Sequence, residues 1–268
     1  MDLHTHKLLT PIITLNFKER SLLFAELASI AYLDEKNATK LAKQLGFTTV
    51  EYYELDGAQA YRFMNKTDFV IACRGTEPKE FNDIGADANA IPVIAETVGR
   101  VHSGFKGEVD KLWPRIEEDL ARESKDRDVW FCGHSLGAAM ATIVSSRCGG
   151  SNICPNPREL YTYGSLRVGW ANYINHHPFD HHRWVNNNDV VTRVPFWIMG
   201  YKHHGTEHYL NTWGNVRKST GFQRFKDRIR GMWRGLKQGK IDNFSDHSIG
   251  LYVEYLKNYR DGMETPQV

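Results

Sequence analysis

The sequence Gly133-His134-Ser135-Leu136-Gly137 constrains the fold of this chain more than any other feature. The apolar run Val129–Cys132 precedes it and an alanine-rich helical pattern follows. Ser135 is therefore predicted to lie on a tight turn between a buried strand and a helix. The two glycines let the strand and the helix pass closely without a clashing side chain. The alternative is a serine buried in an ordinary strand-to-helix turn.

Strand-like and helical segments alternate through the middle of the chain, which predicts an α/β fold with a mainly parallel sheet. With 268 residues and 41% hydrophobic content, the chain can bury a sizeable core, and we expect a single domain over residues 1–268. The predicted strands are 50–55, 60–64, 68–73, 129–132, 160–163 and 183–185, with a hairpin turn at Asp56-Gly57. The predicted helices are 18–31, 105–123, one that ends near Gly149-Gly150, 222–236, and one that starts at about His247.

Charge is nearly balanced overall but uneven along the chain. The formal net charge of +2 argues against nucleic acid as the main partner. Nine basic residues and only one acidic residue lie between Arg217 and Lys240, and apolar residues recur there at helical spacing. This predicts a basic amphipathic helical insertion over residues 219–240. Such a helix would either anchor the protein on an anionic lipid surface or pack on its own domain with its charges solvated.

No stretch reaches the roughly 20 apolar residues of a membrane span, and the N-terminus lacks the apolar core of a signal peptide. The expectation is a cytoplasmic protein or one exported by a leaderless route. The four cysteines are too few for a disulfide scaffold and are expected to be reduced. Cys148 and Cys154 could nevertheless close a short loop in an oxidising compartment.

A turn of this kind is typical of the nucleophile elbow of serine hydrolases, in which a histidine takes the serine proton and a carboxylate orients the histidine. In such chains the order is serine, acid, histidine. Asp189 follows a predicted strand at the point where catalytic loops leave a parallel sheet, although it could simply form a turn after three asparagines. Asp180 is the weaker candidate. Among the 12 histidines, His247 is preferred as the base because it starts the final helix after a loop.

The histidine-rich segment 176–182 invites a different hypothesis, because imidazoles four or five residues apart could converge on zinc. No HExxH or paired-cysteine spacing accompanies these histidines, and serine chemistry needs no metal. A solvated loop or adventitious metal binding is the preferred interpretation. No cofactor is expected.

Several co-linear blocks together resemble the class 3 lipases, the α/β-hydrolase family that includes the filamentous fungal triacylglycerol lipases. The GHSLG elbow is the form usual in that family. The other blocks are Arg74-Gly75-Thr76, Val101–Phe105, Tyr161–Ser165, Arg167-Val168-Gly169, Asn188–Val191 with Val194-Pro195, and Asp246-His247-Ser248 through Tyr252. Co-linear blocks are far more specific than any single motif. We also expect a bacterial member of the family.

The resemblance implies an α/β-hydrolase fold with helices on both faces of the sheet. It implies that Ser135 is the nucleophile, His247 the base and Asp189 the orienting acid. It further implies an oxyanion hole made by the backbone amides of Thr76 and Leu136. By position, residues 82–100 are the candidate lid over the cleft; the alternative is a loop packed on the core.

The implied activity is hydrolysis of triacylglycerols through an acyl-enzyme. The same fold and triad also serve a phospholipase A1 or an aryl or short-chain esterase, and the fold could be kept by a non-catalytic lipid-binding protein. The expected partners are a lipid ester substrate and a lipid–water interface or anionic membrane surface. Nucleic acid is not expected, and no obligate protein partner is evident.

Overall fold

A central sheet of eight strands carries the fold. The computed structural model describes residues 1–75, 91–217 and 245–264. The strands are β1 (Thr49–Leu55), β2 (Ala58–Met64), β3 (Asp68–Cys73), β4 (Pro92–Ile94), β5 (Arg100–His102), β6 (Asp128–His134), β7 (Glu159–Tyr163), β8 (Asp180–Asn186), β9 (Thr206–Leu210) and β10 (Val216–Arg217). The order in the main sheet is β1-β2-β3-β6-β7-β8-β9-β10, while β4 and β5 form a separate hairpin.

The strands from β3 to β9 in this order pair in parallel, and only β1, β2 and β10 at the two edges pair antiparallel. The prediction of a mainly parallel sheet is therefore confirmed. The hairpin between β1 and β2 turns at Asp56 and Gly57, as predicted, and both residues have positive φ angles of 47° and 83°. Positive φ at two consecutive residues gives a turn whose twist matches the flanking strands.

Helices cover both faces of the sheet, as predicted. They are α1 (Phe17–Ile30), α2 (Glu35–Leu45), α3 (Ser103–Glu123), α4 (Leu136–Gly150), α5 (Ala171–Ile174) and α6 (Ile249–Arg260). Asn16 begins α1 with a capping box, since its side chain accepts from the Glu19 amide and Glu19 accepts from the Asn16 amide. Within the described residues, none of the helices is long and apolar enough to cross a membrane.

Two apolar cores lie on opposite faces of the sheet, because alternate residues of each strand point to opposite sides. In β6, for example, Val129 and Phe131 join the core beneath α3 and α4. Trp130 and Cys132 join the core beneath α1, α2 and α6. The sheet is therefore buried on both faces, which is usual for parallel strands.

Some predicted elements need adjustment. The last helix starts at Ile249, and His247 lies in a 3-10 turn, Ser245–His247, just before it. All four cysteines are free, and Cys148 donates its thiol hydrogen to the carbonyl of Pro155. The predicted basic helix at 219–240, the first part of the candidate lid at 82–90, and Thr76 lie outside the described residues.

Candidate active site

Ser135 occupies the turn between β6 and α4 with φ 60° and ψ −129°, a backbone conformation that side-chain-bearing residues rarely adopt. The glycines on either side explain how the turn forms. A Cβ added to Gly133 would collide with the carbonyl of Gly137, and a Cβ added to Gly137 would collide with the carbonyl of Cys73. The spacing of the motif is therefore a steric requirement of this turn.

The Ser135 hydroxyl makes no hydrogen bond within the described residues. Ser135 is buried, its amide donates to the carbonyl of Tyr163 over 3.0 Å, and its Oγ has no hydrogen-bond partner among the described residues. Leu136 is the first residue of α4, so its N–H is among those that helix geometry leaves without an intrahelical acceptor. Gly75 lies beside the turn, since a Cβ there would come within 3.2 Å of Ser135 Cβ.

Asp189 and His247 form a buried hydrogen-bonded pair. The Nδ1 of His247 lies 2.9 and 3.0 Å from the two carboxylate oxygens of Asp189, so Nδ1–H donates and Nε2 is left as the basic nitrogen. The carboxylate accepts two further hydrogen bonds, from the Tyr252 hydroxyl at 2.7 Å and the Val191 amide at 3.0 Å. Several donors on one buried carboxylate hold it in a single orientation.

The loop that carries Asp189 is tied to the residue before the histidine. Both the side-chain amide of Asn187 and the backbone amide of Asn188 donate to Asp246 Oδ2 over 3.2 Å. The Asn186 side chain donates to the Asp246 carbonyl over 2.9 Å. Asp189 does close a turn, because its amide donates to the Asn186 carbonyl. The turn also places the carboxylate of Asp189 beside the imidazole of His247.

Ser135 and His247 flank the same short segment, Tyr163-Gly164, at the end of β7. Ser135 donates to the Tyr163 carbonyl. A Cβ on Gly164 would lie only 2.7 Å from Nδ1 and Cε1 of the His247 ring. The structure thus brings together the three residues expected from the sequence, Ser135, Asp189 and His247, at the carboxyl ends of β6, β7 and β8. Asp180, the weaker acid candidate, is exposed at the opposite end of β8.

His134 also supports the candidate site, although the sequence alone did not indicate it. Its Nε2 donates to the carbonyl of His247 over 2.6 Å, and its Nδ1 accepts from the Tyr32 hydroxyl at 2.8 Å. Burial lowers the pKa of His134 well below its ordinary value, and the nearby His247 lowers it further. A neutral His134 therefore ties the backbone of His247 to the elbow strand and to the loop after α1.

The other histidines after the elbow cluster away from Ser135. The Nε2 atom of His181 forms a hydrogen bond of 2.7 Å with Thr162 Oγ1, and its Nδ1 atom lies 3.0 Å from Nδ1 of His204. The ring of His177 packs edge-on against His204. Among the residues that the structure describes, no group of three or more His, Cys, Asp or Glu side chains could hold a metal ion. These histidines contact one another and the neighbouring aromatic rings of Phe179 and Trp184.

The described part of the candidate lid is the β4–β5 hairpin. Val93 packs on the core beneath α3 and α4, Ala95 is buried, and Ile94 is exposed. Gly99 has φ 78° and lies against the backbone of α5, where a Cβ would collide with Tyr173 N at 2.7 Å. This end of the segment is therefore packed, and a lid over 82–100 stays a prediction.

The family model "Lipase (class 3)" matches residues 70–199. The chain is 28% identical to the toxin TseL of Vibrio cholerae over 74% of its own length and 36% of that protein. It is 37% identical to a secreted mono- and diacylglycerol lipase of Fusarium solani over 41% of its own length and 34% of that protein. The chain thus spans only about a third of these curated relatives.

The fold is also that of a solved triacylglycerol lipase whose catalytic centre is a serine protease triad. The TM-score is 0.62 at 20% sequence identity, and the match covers 73% of this chain and 82% of the other. The α/β-hydrolase fold expected from the sequence is therefore confirmed.

Proposed function

Because the chain belongs to the class 3 lipase family, we propose that it is a carboxylic-ester hydrolase that cleaves acylglycerols through an acyl-enzyme on Ser135. The observation that carries the proposal is the buried Asp189–His247 pair at the same sheet edge as the elbow serine. In this arrangement the acid fixes the tautomer of the histidine, and the histidine can act as a base.

In the proposed reaction, His247 Nε2 takes the proton of the Ser135 hydroxyl while Oγ forms a bond to the ester carbonyl carbon. The carbonyl π electrons move to oxygen, and the resulting oxyanion accepts hydrogen bonds from the amide of Leu136 and from that of Thr76. When the tetrahedral intermediate collapses, the C–O bond to the alcohol breaks and His247 returns the proton to the leaving alkoxide. Water, deprotonated by His247, then releases the fatty acid in the same way.

Each donor to an oxyanion typically contributes about 3 kcal/mol to the barrier reduction. The Leu136 amide is well suited to this task because it points out of the N-terminus of α4, where the helix dipole also favours negative charge. The proposed substrate is a lipid ester, in keeping with the names of the lipase relatives.

The test is hydrolysis of p-nitrophenyl esters from acetate to palmitate, together with emulsified triglyceride, by wild type and Ser135→Ala. Ser145→Ala is the matched control, because it makes the same change in α4 at a hydroxyl that only donates to the Thr142 carbonyl. Activity on long chains and emulsion that is lost only in Ser135→Ala would support a lipase. Activity confined to short soluble esters would indicate an esterase, and inactivity on all of these substrates would favour a phospholipase A1 or a non-catalytic protein.

A fluorophosphonate probe separates an enzyme from a non-catalytic lipid-binding protein. The probe should label wild type and Ser145→Ala and should fail to label Ser135→Ala. Equal labelling of all three proteins, or of none, would contradict the assignment of Ser135 as the nucleophile.

A further inference from the structure

Two cysteines meet where α4 ends and the chain turns towards β7. Cys148 lies in the last turn of α4 and is fully buried, whereas Cys154 lies in the following loop and is half-buried. The Cys148 thiol donates to the carbonyl of Pro155, the residue after Cys154, over 3.1 Å. The same thiol is also within hydrogen-bonding reach of the Cys154 sulfur. The loop therefore folds back so that the two sulfur atoms face each other, at the opposite end of α4 from Ser135.

Local contacts hold the loop that carries Cys154. The Ser151 amide donates to the Cys148 carbonyl over 3.2 Å, which continues the helix by one turn. The Ile153 amide donates to Ser151 Oγ over 3.3 Å. The side chain of Cys154 packs against the core beneath α3 and α4, to which Cys148 also belongs. The contact between the two thiols is therefore part of the packed fold.

The two thiols differ in acidity. The hydrogen bond with the Cys148 thiol lowers the pKa of Cys154, and a hydrogen bond from the Ser151 hydroxyl lowers it further, although burial and the nearby Glu117 carboxylate act in the opposite direction. The hydrogen bond with Cys154 raises the pKa of Cys148, and so does burial. Because the thiolate is the nucleophile, Cys154 is the more reactive thiol, and its partial exposure gives a small molecule access to it.

The other two cysteines lack these features. Cys73 in β3 and Cys132 in β6 are fully buried, and burial raises the pKa of both thiols. The two strands are neighbours, but Cys73 joins the core beneath α3 and α4, and Cys132 joins the core beneath α1, α2 and α6. Their thiols lie on opposite faces of the sheet. They therefore serve as internal controls for the reactivity of Cys148 and Cys154.

We propose that Cys148 and Cys154 form a redox site, which a small-molecule disulfide such as oxidised glutathione converts into an intramolecular disulfide. Cys154 releases its proton to solvent and attacks one glutathione sulfur; the glutathione S–S bond breaks, and one glutathione thiolate leaves. Cys148 then loses its proton to solvent and attacks the Cys154 sulfur, and the second glutathione thiolate leaves. The two cysteines give up two electrons, and the glutathione disulfide takes them and becomes two thiols.

The new bond would close the short ring 148–154 and fasten the last turn of α4 to the loop before β7. A disulfide is favoured when the fold already holds its two thiols together. The proposal does not depend on the proposed hydrolase activity, because Ser135 lies at the other end of α4 and takes no part in the thiol chemistry.

The experiment incubates the reduced, folded full chain in a buffer of reduced and oxidised glutathione, followed by acid quenching, unfolding, alkylation and mass spectrometry. Trypsin cleaves after Arg147 and Arg158, so both cysteines lie in one peptide, 148–158. We expect this peptide to lack two hydrogens and to escape alkylation, while Cys73 and Cys132 are alkylated as thiols. The ratio of disulfide to dithiol should be at least about tenfold higher for the folded protein than for the chain in urea.

Two single variants test the order of attack, and circular dichroism verifies that both fold. In Cys148→Ser the second thiol is missing, so Cys154 should keep one glutathione as a mixed disulfide. In Cys154→Ser the remaining thiol is buried, so Cys148 should stay unmodified under the same conditions. A glutathione adduct on Cys148 that equals or exceeds the adduct on Cys154 overturns the assignment of Cys154 as the attacking thiol.

The wild-type protein alone decides whether the redox site exists. Recovery of peptide 148–158 with both thiols alkylated overturns the proposal. An equal ratio of disulfide to dithiol in the folded protein and in urea also overturns it, because chain proximity alone would then explain the pairing.

Discussion

Tyr252 donates its phenolic hydrogen to Asp189 Oδ2 over 2.7 Å, on the same carboxylate oxygen that lies 2.9 Å from His247 Nδ1. Burial raises the pKa of Tyr252 well above its ordinary value, and the adjacent Asp189 carboxylate raises it further. The phenol therefore stays protonated and can only donate to the acid. Tyr252 also accepts from the Asn186 amide, so one residue of α6 fixes both the acid and the loop that carries it.

Replacing Tyr252 with Phe should lower kcat roughly 10- to 150-fold with little change in KM, because the loss of one donor to a buried carboxylate costs about 1.5–3 kcal/mol and lets Asp189 reorient. The measurement is steady-state hydrolysis of a soluble p-nitrophenyl ester. Tyr259→Phe makes the same change on the same helix away from Asp189 and should leave kcat as in wild type. An unchanged kcat in a folded Tyr252→Phe protein would mean that Tyr252 only stabilises α6.

Gly164→Ala should abolish measurable turnover, because the new Cβ would lie 2.7 Å from His247 Nδ1 and 2.8 Å from Asp189 Oδ2, at a residue with φ 58°. His247 and Asp189 must shift from their paired positions to relieve these contacts. Gly262→Ala is the matched control, since Gly262 has φ 72° and no atom near an added Cβ. The free energy of unfolding of Gly262→Ala, measured with urea, should fall by roughly 1 kcal/mol, because alanine at a positive φ strains only the backbone. Wild-type turnover in Gly164→Ala would contradict the assigned geometry.

Much of this arrangement was predictable from the chain itself, because local rules govern it. The glycines around Ser135 indicate the turn, the Asp56-Gly57 pair indicates the hairpin, and alternating strands and helices indicate a parallel sheet. The short strand β9 was missed because Thr206–Leu210 is preceded by two histidines and a glycine, and its polar residues give no clear apolar alternation. Tertiary pairing with β8 decides its conformation.

The supporting residues of the candidate site could not be predicted from local patterns. His134 is the variable position of the elbow motif, and its bond to the His247 carbonyl joins residues far apart in the chain. Asp246 precedes the histidine, but its contact with Asn187 and Asn188 depends on how β8 and α6 meet. Such long-range hydrogen bonds follow from the assembled fold, so sequence spacing alone carries no signal for them.

Ser135→Gly should be more stable than Ser135→Ala by about 1 kcal/mol, although both variants lose activity. Residue 135 has φ 60° and ψ −129°, a conformation that glycine adopts freely and alanine does not. Both changes remove the buried Oγ, so the difference between them is the relief of backbone strain less the lost Cβ packing and the greater freedom of glycine in the unfolded chain. Urea unfolding of the two variants provides the measurement. Equal or lower stability of the glycine variant would mean that the strain at this residue does not exceed those two costs.

Acid should destabilise the fold through the half-buried, mutually packed side chains of His177 and His204. Burial lowers the pKa of His177 to about 3 and of His204 to about 4, from an ordinary value of 6.5. Below pH 6.5 the unfolded chain binds protons at these positions while the folded protein does not, so the free energy of unfolding falls as the pH drops and levels off only near the folded pKa values.

His177→Phe should remove part of that pH dependence, up to about 2 kcal/mol between pH 6.5 and pH 5, at 1.36 kcal/mol per pH unit. Phenylalanine keeps the ring contacts with Phe179 and Tyr173, and no hydrogen bond is lost because His177 Nε2 has no partner among the described residues. His176→Phe, at the exposed neighbouring position, is the control. Parallel stability–pH curves for wild type and His177→Phe would show that His177 titrates alike in the folded and unfolded chains, so that its burial does not couple folding to pH.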